Sequence, residues 1–192
     1  GHKILNFFHI TGDEESLSSN RILCLYEDSQ KRIWIGTEGG GINYYSMVDE
    51  RFVRVETPRG YQKIKDFVET KEGEILTATN NGVLQVIDIS EETSAEIMQL
   101  PVNGLDVRRI NRTDSKILFS TSNGIWQFHS NGEIEQIPIT KGNSYNSSFV
   151  YENNILAINN NKVQLISEYD GTFSIDEIKE LDNKDIRDIA LS

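Results

Sequence analysis

The chain has 192 residues, of which 37% are hydrophobic, enough for one sizeable core or a set of repeats. Nineteen basic residues against thirty acidic ones give a formal net charge of −11, which disfavours nucleic acid and anionic lipid as partners because phosphate binding needs Lys and Arg. No run of about 18 apolar residues occurs, so the sequence predicts no membrane span and no direct membrane contact.

The first predicted element is an apolar run, KILNFFHI, at residues 3–10, and a polar stretch follows it. The complete units further along the chain each end in a run of this kind. We therefore interpret residues 3–20 as the outer strand of a preceding unit and the linker that leaves it.

A complete unit of four β-like runs follows at residues 21–56. Its second run, IWIGT at 33–37, leads into a corner containing Gly39, Gly40 and Gly41, and an apolar run resumes at once. A phosphate-binding loop would need a helix after the glycines, because the helix N-terminus binds the anion. The glycines are therefore predicted to form the turn of a β-hairpin rather than a nucleotide site.

The unit recurs three times, at intervals of 42, 42 and 38 residues between the first residues of the equivalent second runs. The repeats occupy residues 63–100, 106–138 and 147–179, and residues 185–192 match only the first run of a further unit. A period of about 40 residues with four short strands in each repeat is typical of a β-propeller blade.

The second run of each unit is apolar on both faces, as expected for a strand that neighbouring blades cover on both sides. These runs supply the predicted blade core, and the glycines after them supply the predicted turns. The predicted core residues are Ile33, Trp34, Ile75, Leu76, Ile117, Leu118, Ile155 and Leu156, and the predicted turn residues are Gly39, Gly40, Gly41, Gly82 and Gly124.

These elements together predict an all-β protein. We expect a β-propeller fragment of about four four-stranded blades, with partial blades at both ends, from a parent ring of seven. Seven blades would need roughly 290 residues at this period. Open blade faces at the two ends are apolar surfaces, so a second copy or another propeller half is expected to cover them.

The first unit resembles the two-component regulator propeller repeat. The matching features are Ser16–Asn20, Glu27-Asp28, Ile33–Thr37 and Gly39–Gly41, and the later units match less well because leucines replace the tryptophan. The resemblance implies the periplasmic sensor region of a hybrid two-component system. The parent protein would be anchored in the inner membrane by a helix outside this chain and would signal through a histidine kinase, also outside it.

Residue patterns for catalysis or metal binding are not evident. His2, His9 and His129 do not cluster with Cys, Asp or Glu at metal-ligand spacing, so no metal or other cofactor is predicted. A nucleophile motif such as Gly-x-Ser-x-Gly is missing, and the lone Cys24 is interpreted as a small buried hydrophobic residue. The chain itself is therefore not expected to be an enzyme.

A propeller's binding face is expected where loops enter the first strand of each blade and where loops join the second strand to the third. Arginine and tyrosine in these loops suit an acidic or neutral oligosaccharide, through charge-assisted hydrogen bonds and ring stacking. The candidate ligand-binding residues are Arg21, Arg59, Tyr61, Arg108 and Tyr145. The alternative, that each is an ordinary solvated loop residue, stays open.

Three functions remain compatible with the sequence. The favoured one is an extracytoplasmic propeller that senses a carbohydrate for a hybrid two-component kinase. The alternatives are a propeller that serves as a protein–protein scaffold and a propeller-type polysaccharide lyase or hydrolase. The enzyme hypothesis is disfavoured because the residues that repeat are frame and turn residues.

Overall fold

The computed structural model describes residues 6–47, 49–61, 63–87, 94–97, 102–113, 116–129 and 133–178. The chain divides into two compact units. Unit 1 comprises residues 1–80 and 84–98, and unit 2 comprises residues 81–83 and 99–192. In the described ranges the strands form four sheets of four antiparallel strands each, which confirms the predicted all-β fold class.

Unit 1 contains the first two sheets, except for the first two residues of β7. Within each sheet the strands follow one another in chain order, so that successive strands are hydrogen-bonded neighbours. Sheet 1 consists of β1 (Ile22–Glu27), β2 (Ile33–Thr37), β3 (Ile42–Ser46) and β4 (Arg51–Val55), and sheet 2 of β5 (Ile64–Glu69), β6 (Ile75–Thr79), β7 (Gly82–Ile87) and β8 (Ser94–Ile97).

Unit 2 contains the other two sheets, which have the same meander order. A single 3-10 turn, Pro138–Thr140, lies between them. Sheet 3 consists of β9 (Val107–Arg112), β10 (Lys116–Thr121), β11 (Gly124–His129) and β12 (Ile134–Gln136), and sheet 4 of β13 (Tyr145–Tyr151), β14 (Asn154–Asn159), β15 (Lys162–Tyr169) and β16 (Thr172–Glu177).

The N-terminal segment differs from the predicted outer strand. Residues 6–10 form no strand, and residues 3–5 lie outside the described residues, as does the further strand predicted at 185–192. The segment instead follows the edge of sheet 1 at β4. The backbone N–H of Phe52 donates to the carbonyl of Glu15, and the Arg54 guanidinium donates to the carbonyls of Asp13 and Ser16.

The second strands form the interior, as their two-sided apolar pattern predicts. Six of the eight predicted core residues are at most 5% exposed, and the other two, Ile33 and Leu156, are half-buried. In unit 1 the Trp34 side of sheet 1 packs on Ile64, Phe67 and Ile75 of sheet 2. In unit 2 Leu118 and its neighbours in sheet 3 pack on sheet 4 in the same manner.

The Asp and Trp features of the first repeat are linked by one buried side chain. The Asp28 carboxylate accepts hydrogen bonds from the Trp34 indole N–H at 2.8 Å and from the Arg32 guanidinium at 2.5 Å. Its other oxygen accepts from the backbone N–H groups of Gln30 and Arg32, each at 2.9 Å. Asp28 thus shapes the β1–β2 turn and satisfies the only polar group of a fully buried indole.

The later repeats change both partners together. Leu76 and Leu118 occupy the tryptophan position and have no N–H to satisfy. Thr70 and Thr113 occupy the position of the aspartate, and their hydroxyls accept the backbone N–H groups of Glu74 and Lys116 in the turn. The divergence of the second and third repeats from the first therefore replaces the tryptophan and its side-chain acceptor together.

The glycine corner after β2 needs its glycines for two different reasons. Gly39 and Gly41 have φ of 93° and 70°, a region that other residues adopt only under strain. Gly40 has ordinary φ, but a side chain there would begin 2.5 Å from the Ser18 hydroxyl oxygen. The corner is held against the segment before β1, where Ser18 also exchanges hydrogen bonds with the buried Asn43 amide.

Candidate functional site

The first strand of each of the four sheets contains a β-bulge close to its beginning, a feature that the residue patterns did not predict. In each case the register skips one residue between the first and third positions of the strand. The skipped residues are Leu23, Lys65, Arg108 and Asn146. A bulge re-aims the side chain of its extra residue. All four retain solvent exposure, whereas the preceding residues Ile64, Val107 and Tyr145 are fully buried.

In unit 2 the two bulge residues contact each other across the boundary between sheets. The Arg108 guanidinium donates to the Asn146 amide oxygen at 2.6 Å, and its Nε donates to the Asp106 carboxylate at 3.3 Å. The side chains of Arg108 and Asp106 are each about one-third exposed, at 34% and 35%. The arginine is therefore held in position while part of its surface faces solvent, as a charge-assisted binding group requires.

A buried polar layer supports this pair. The Asn111 amide donates to the backbone carbonyl of Ser148 at 2.6 Å, and the hydroxyls of Ser120 and Ser148 are 2.6 Å apart. Both serines are fully buried. Satisfied buried hydrogen bonds of this kind lock the relative position of two strands, so sheets 3 and 4 hold their bulges at a set distance.

The neighbouring loops of unit 2 are held by amide contacts. The Gln136 amide donates to the Asn123 carbonyl at 2.5 Å, and the Asn123 side chain accepts the Gly142 N–H at 3.0 Å. The turn between β10 and β11 and the loop before β13 therefore lie side by side. Both belong to the loop classes that the sequence predicts to form the binding face.

In unit 1 the corresponding end of the sheets is occupied by ion pairs. Glu38 accepts from Arg21 at 2.7 Å and lies 3.3 Å from the Lys63 ammonium. The Arg21 side chain is 74% exposed. Exposed pairs of this kind contribute little to stability, and here they reduce the charge that either cation offers to a ligand.

The predicted tyrosines are not at the surface. Tyr145 is fully buried and Tyr61 is 7% exposed, so neither offers a ring face to a ligand. Tyr145 is the first residue of β13, the position that Ile64 and Val107 occupy in their sheets, and its hydroxyl donates to Gln164 at 3.2 Å. Burial raises the pKa of Tyr145.

The three predicted arginines remain at the loop end. Arg108 lies in the bulge pair and Arg21 in the ion pairs with Glu38, while Arg59 is exposed in the turn before β5. Asn146, Asp106 and Lys65 were missed as individual candidates. For Lys65 and Asn146 the signal that could have found them is a polar residue directly after the first residue of an inner strand, whereas Asp106 lies just before its strand.

One further group of polar side chains lies on β11 and β12 of sheet 3. The Glu135 carboxylate accepts from the Gln127 amide at 2.5 Å and lies 3.2 Å from the His129 ring nitrogen. Hydrogen bonds from Gln127 and His129 lower the pKa of Glu135. Across the described ranges no group of three or more His, Cys, Asp or Glu side chains is arranged to hold a metal ion.

The repeat that contains Asp28 and Trp34 is similar to a known family. Residues 16–39 match the two component regulator propeller family. The matched residues contain the Ser18 contact, the Asp28 turn and the first glycine of the corner, so the family pattern corresponds to the contacts that shape sheet 1. A comparison with curated proteins finds no match.

Solved structures with the same fold include sensor domains and an enzyme. The chain is 21% identical to the extracellular domain assigned to the hybrid two component system BT3049 from B. thetaiotaomicron, with a TM-score of 0.72, over 91% of this chain and 25% of that one. The chain is 18% identical to the extracellular domain assigned to the hybrid two component system BT4673 from the same organism. The TM-score is 0.67, over 92% of this chain and 27% of that one. Virginiamycin B lyase from Staphylococcus aureus is 17% identical with a TM-score of 0.64, over 82% of this chain and 56% of the lyase. These likenesses show the propeller fold, and this chain spans about a quarter of the two sensor domains.

The described residues contain no helix of the length and apolarity that a membrane crossing requires.

Proposed function

We propose that this chain is part of the extracytoplasmic sensing region of a hybrid two-component system and that it binds an oligosaccharide. The observation that carries the proposal is the Arg108–Asn146 pair, in which two bulges from adjacent sheets present a positioned guanidinium and an amide to solvent. Guanidinium and amide groups recognise hydroxyl and carboxylate oxygens with directional hydrogen bonds.

Two further facts support a sensing role. The two-component regulator propeller repeat at residues 16–39 is named for regulators of that class, and two solved structures of the same fold are extracellular domains of hybrid two-component systems. The location that follows from the proposal is the periplasmic side of the inner membrane, with the anchor and the kinase outside this chain. Ligand binding would then act by favouring one of two arrangements of the receptor.

The proposal is tested by titrating the chain with neutral and uronate-containing oligosaccharides in a calorimeter. We expect at least one to bind, and we expect Arg108→Ala to weaken its binding by about tenfold or more, because a hydrogen bond to a charged group contributes about 1.5–3 kcal/mol. Asn146→Ala should weaken the binding of the same ligand. Neither substitution should lower the thermal midpoint by more than about 2 °C, since Arg108 and Asn146 are partly exposed.

Lys31→Ala is the matched control. It removes one positive charge from the exposed turn between β1 and β2, which is not part of the Arg108–Asn146 pair, so it should leave the affinity unchanged. Equal weakening by Lys31→Ala would indicate a diffuse charge effect, and full affinity in Arg108→Ala would exclude the bulge pair. Release of shorter products from the bound sugar would favour the lyase or hydrolase alternative, and failure of every oligosaccharide would favour the scaffold alternative.

A further inference from the structure

A pocket of about 200 Å³ lies between sheets 3 and 4 of unit 2. Sheet 3 contributes Lys116, the first residue of β10, and sheet 4 contributes side chains from all four of its strands. Arg108 lies near the other end of β10, because its neighbour Arg109 pairs with Ser120 close to the end of that strand. The pocket is therefore separate from the Arg108–Asn146 pair.

One wall of the pocket is an extension of the outer hairpin of sheet 4. In sheet 1 the hairpin of β3 and β4 has one residue pair beyond the row that contains Ile33. In sheet 4 the hairpin of β15 and β16 has three pairs beyond the equivalent row, which contains Ile155. The second of these is Glu168 with Phe173, on the same face as Ile166 because side chains alternate along a strand. The extension thus adds an acidic and an aromatic side chain to the face that packs on sheet 3.

The opposite wall is the Lys116 side chain, which a polar network holds in position. Its ammonium donates to the Gln127 amide oxygen at 2.9 Å, and the Gln127 amide nitrogen donates to the Glu135 carboxylate. Gln127 is only 4% exposed, so its side chain is fixed by its surroundings. An ammonium has further donor hydrogens beyond the one that Gln127 accepts. Lys116 therefore offers a positioned positive charge to a molecule in the pocket.

The rim of the pocket carries negative charge, and its inner side is apolar. Glu152, in the turn between β13 and β14, and Glu168 both line it. Their side chains form no hydrogen bond or ion pair with the residues that the structure describes, and neither pairs with Lys116. Ile155 and Phe173 supply the apolar surface. The pocket thus combines an ammonium, two carboxylates and an apolar patch that do not neutralise one another.

The size of the pocket limits the ligand to a small molecule. A volume of about 200 Å³ corresponds to about six water molecules at roughly 30 Å³ each, which suits a free amino acid or one sugar ring but not an oligosaccharide. A neutral sugar would leave the ammonium and the carboxylates without counter-charges. A zwitterion with an apolar group supplies a partner for each of them.

We propose that this pocket is a second binding site and that it takes a free α-amino acid with an apolar side chain. The Lys116 ammonium binds the carboxylate of the ligand, and Glu152 and Glu168 bind its ammonium. The side chain of the ligand lies against Ile155 and Phe173.

The test is a titration of the ¹⁵N-labelled chain followed by NMR, with leucine and two analogues as probes. 3-Methylbutylamine lacks the carboxylate of leucine, and 4-methylpentanoate lacks its ammonium. We expect leucine to shift the amide resonances of the pocket residues and to bind about tenfold or more tightly than either analogue, because each analogue loses one charge-assisted interaction.

Two variants assign the charges to their partners. Lys116→Met should weaken leucine about fivefold or more and leave the affinity for 3-methylbutylamine unchanged, since that amine has no carboxylate. Glu168→Gln should weaken leucine and 3-methylbutylamine alike. It should keep the thermal midpoint within about 2 °C of the parent because Glu168 is exposed, so this result stands even where Lys116→Met is less stable.

Asp176→Asn is the matched control. It removes one carboxylate from an exposed position of β16 that does not line the pocket, so the affinity for leucine should not change. An equal loss in Asp176→Asn and Glu168→Gln would indicate a diffuse charge effect and overturn the proposal.

Three further outcomes would also overturn it. Equal affinities for leucine and both analogues would show that the charges take no part. Shifts of the pocket resonances by glucose but not by leucine would assign the site to a neutral sugar. An absence of shifts with leucine would show that the pocket takes no amino acid. The Arg108–Asn146 pair contributes no side chain to the pocket, so these results are independent of the proposed oligosaccharide site.

Discussion

Strands β1 and β5 begin the same structural unit 42 residues apart and have opposite surroundings. Their registers are identical, with the same bulge and the same pairing to the following strand. In β5 Ile64 and Phe67 are buried, whereas Ile22 and Leu25 of β1 are 46% and 64% exposed. The difference is made by the sheet that precedes each strand. Local sequence sets the strand, and the neighbouring blade decides which of its side chains contribute hydrophobic stabilisation.

The largest expected effect contrasts the covered and open faces of sheet 1. Trp34→Ala should lower the free energy of unfolding by about 3–5 kcal/mol, because it empties a fully buried ring site. Leu25→Ala on the open face should change it by no more than about 0.5 kcal/mol. Urea unfolding followed by far-UV circular dichroism measures both losses. Similar losses would mean that the face of sheet 1 that carries Leu25 is already covered.

The next effect concerns Asp28, which accepts the hydrogen bond from the Trp34 indole. Asp28→Ala should cost about 3 kcal/mol, because it leaves the indole N–H and a poorly exposed guanidinium without their acceptor. The double variant Asp28→Thr with Trp34→Leu installs the pair found in sheet 2, and it should cost less than the sum of the single variants. Additive losses in urea unfolding would contradict the paired replacement that distinguishes sheet 1 from sheets 2 and 3.

The same carboxylate gives a pH dependence with a definite sign. Burial alone would raise the pKa of Asp28, but hydrogen bonds from Trp34 and Arg32 and the charge of Arg32 outweigh it and lower the pKa below the usual 3.8. Asp28 therefore contributes stability that is complete above the unfolded-state pKa and is lost as the pH falls through the folded-state pKa. We expect the thermal midpoint to fall less steeply below about pH 3.8 in Asp28→Asn than in the parent. Measurements between about pH 5 and 2 bracket the usual carboxyl pKa and test this.

A smaller effect contrasts two equivalent glutamates, since Glu27 pairs with the first residue of β2 as Glu69 pairs with the first residue of β6. Glu69→Ala should lower the free energy of unfolding by about 1–2 kcal/mol, because the buried Glu69 accepts two hydrogen bonds from Ser29 in the first turn of sheet 1. Glu27→Ala should lower the free energy of unfolding by at most about 0.5 kcal/mol in the 192-residue chain, since Glu27 forms an exposed ion pair with Lys31. A comparable loss in urea unfolding for both variants would remove the distinction between covered and open edges.

The smallest effect tests the corrected position of Tyr145. Tyr145→Phe should lower the free energy of unfolding by about 1 kcal/mol, through loss of the hydrogen bond to Gln164. It should not change the affinity for any oligosaccharide that Arg108→Ala weakens, because the ring is fully buried. Calorimetric titration of the two variants separates these roles. A tenfold loss of affinity in Tyr145→Phe would indicate that Tyr145 contributes to ligand binding.

Much of the fold was accessible from the sequence because its signals are local. The hairpins follow from apolar runs around glycine or asparagine corners, and the period of about 40 residues follows from their recurrence. The burial of Trp34, Leu76 and Leu118 follows from their place in runs that are apolar on both faces. The candidate site was only partly accessible. Arg108 was predicted from its loop, but its pairing with Asn146 depends on a bulge and on the adjacent sheet.

The sequence by itself therefore determined the strands, the turns and the repeating unit, since each depends on residues a few positions apart. Tertiary structure alone decided which tyrosines are core, which bulges meet and which of two equivalent glutamates is clasped by a neighbouring turn. These outcomes depend on contacts between residues about 40 positions apart, such as Ser29 with Glu69 and Arg108 with Asn146. The same residue type at the same repeat position is buried or exposed according to whether another sheet lies against it.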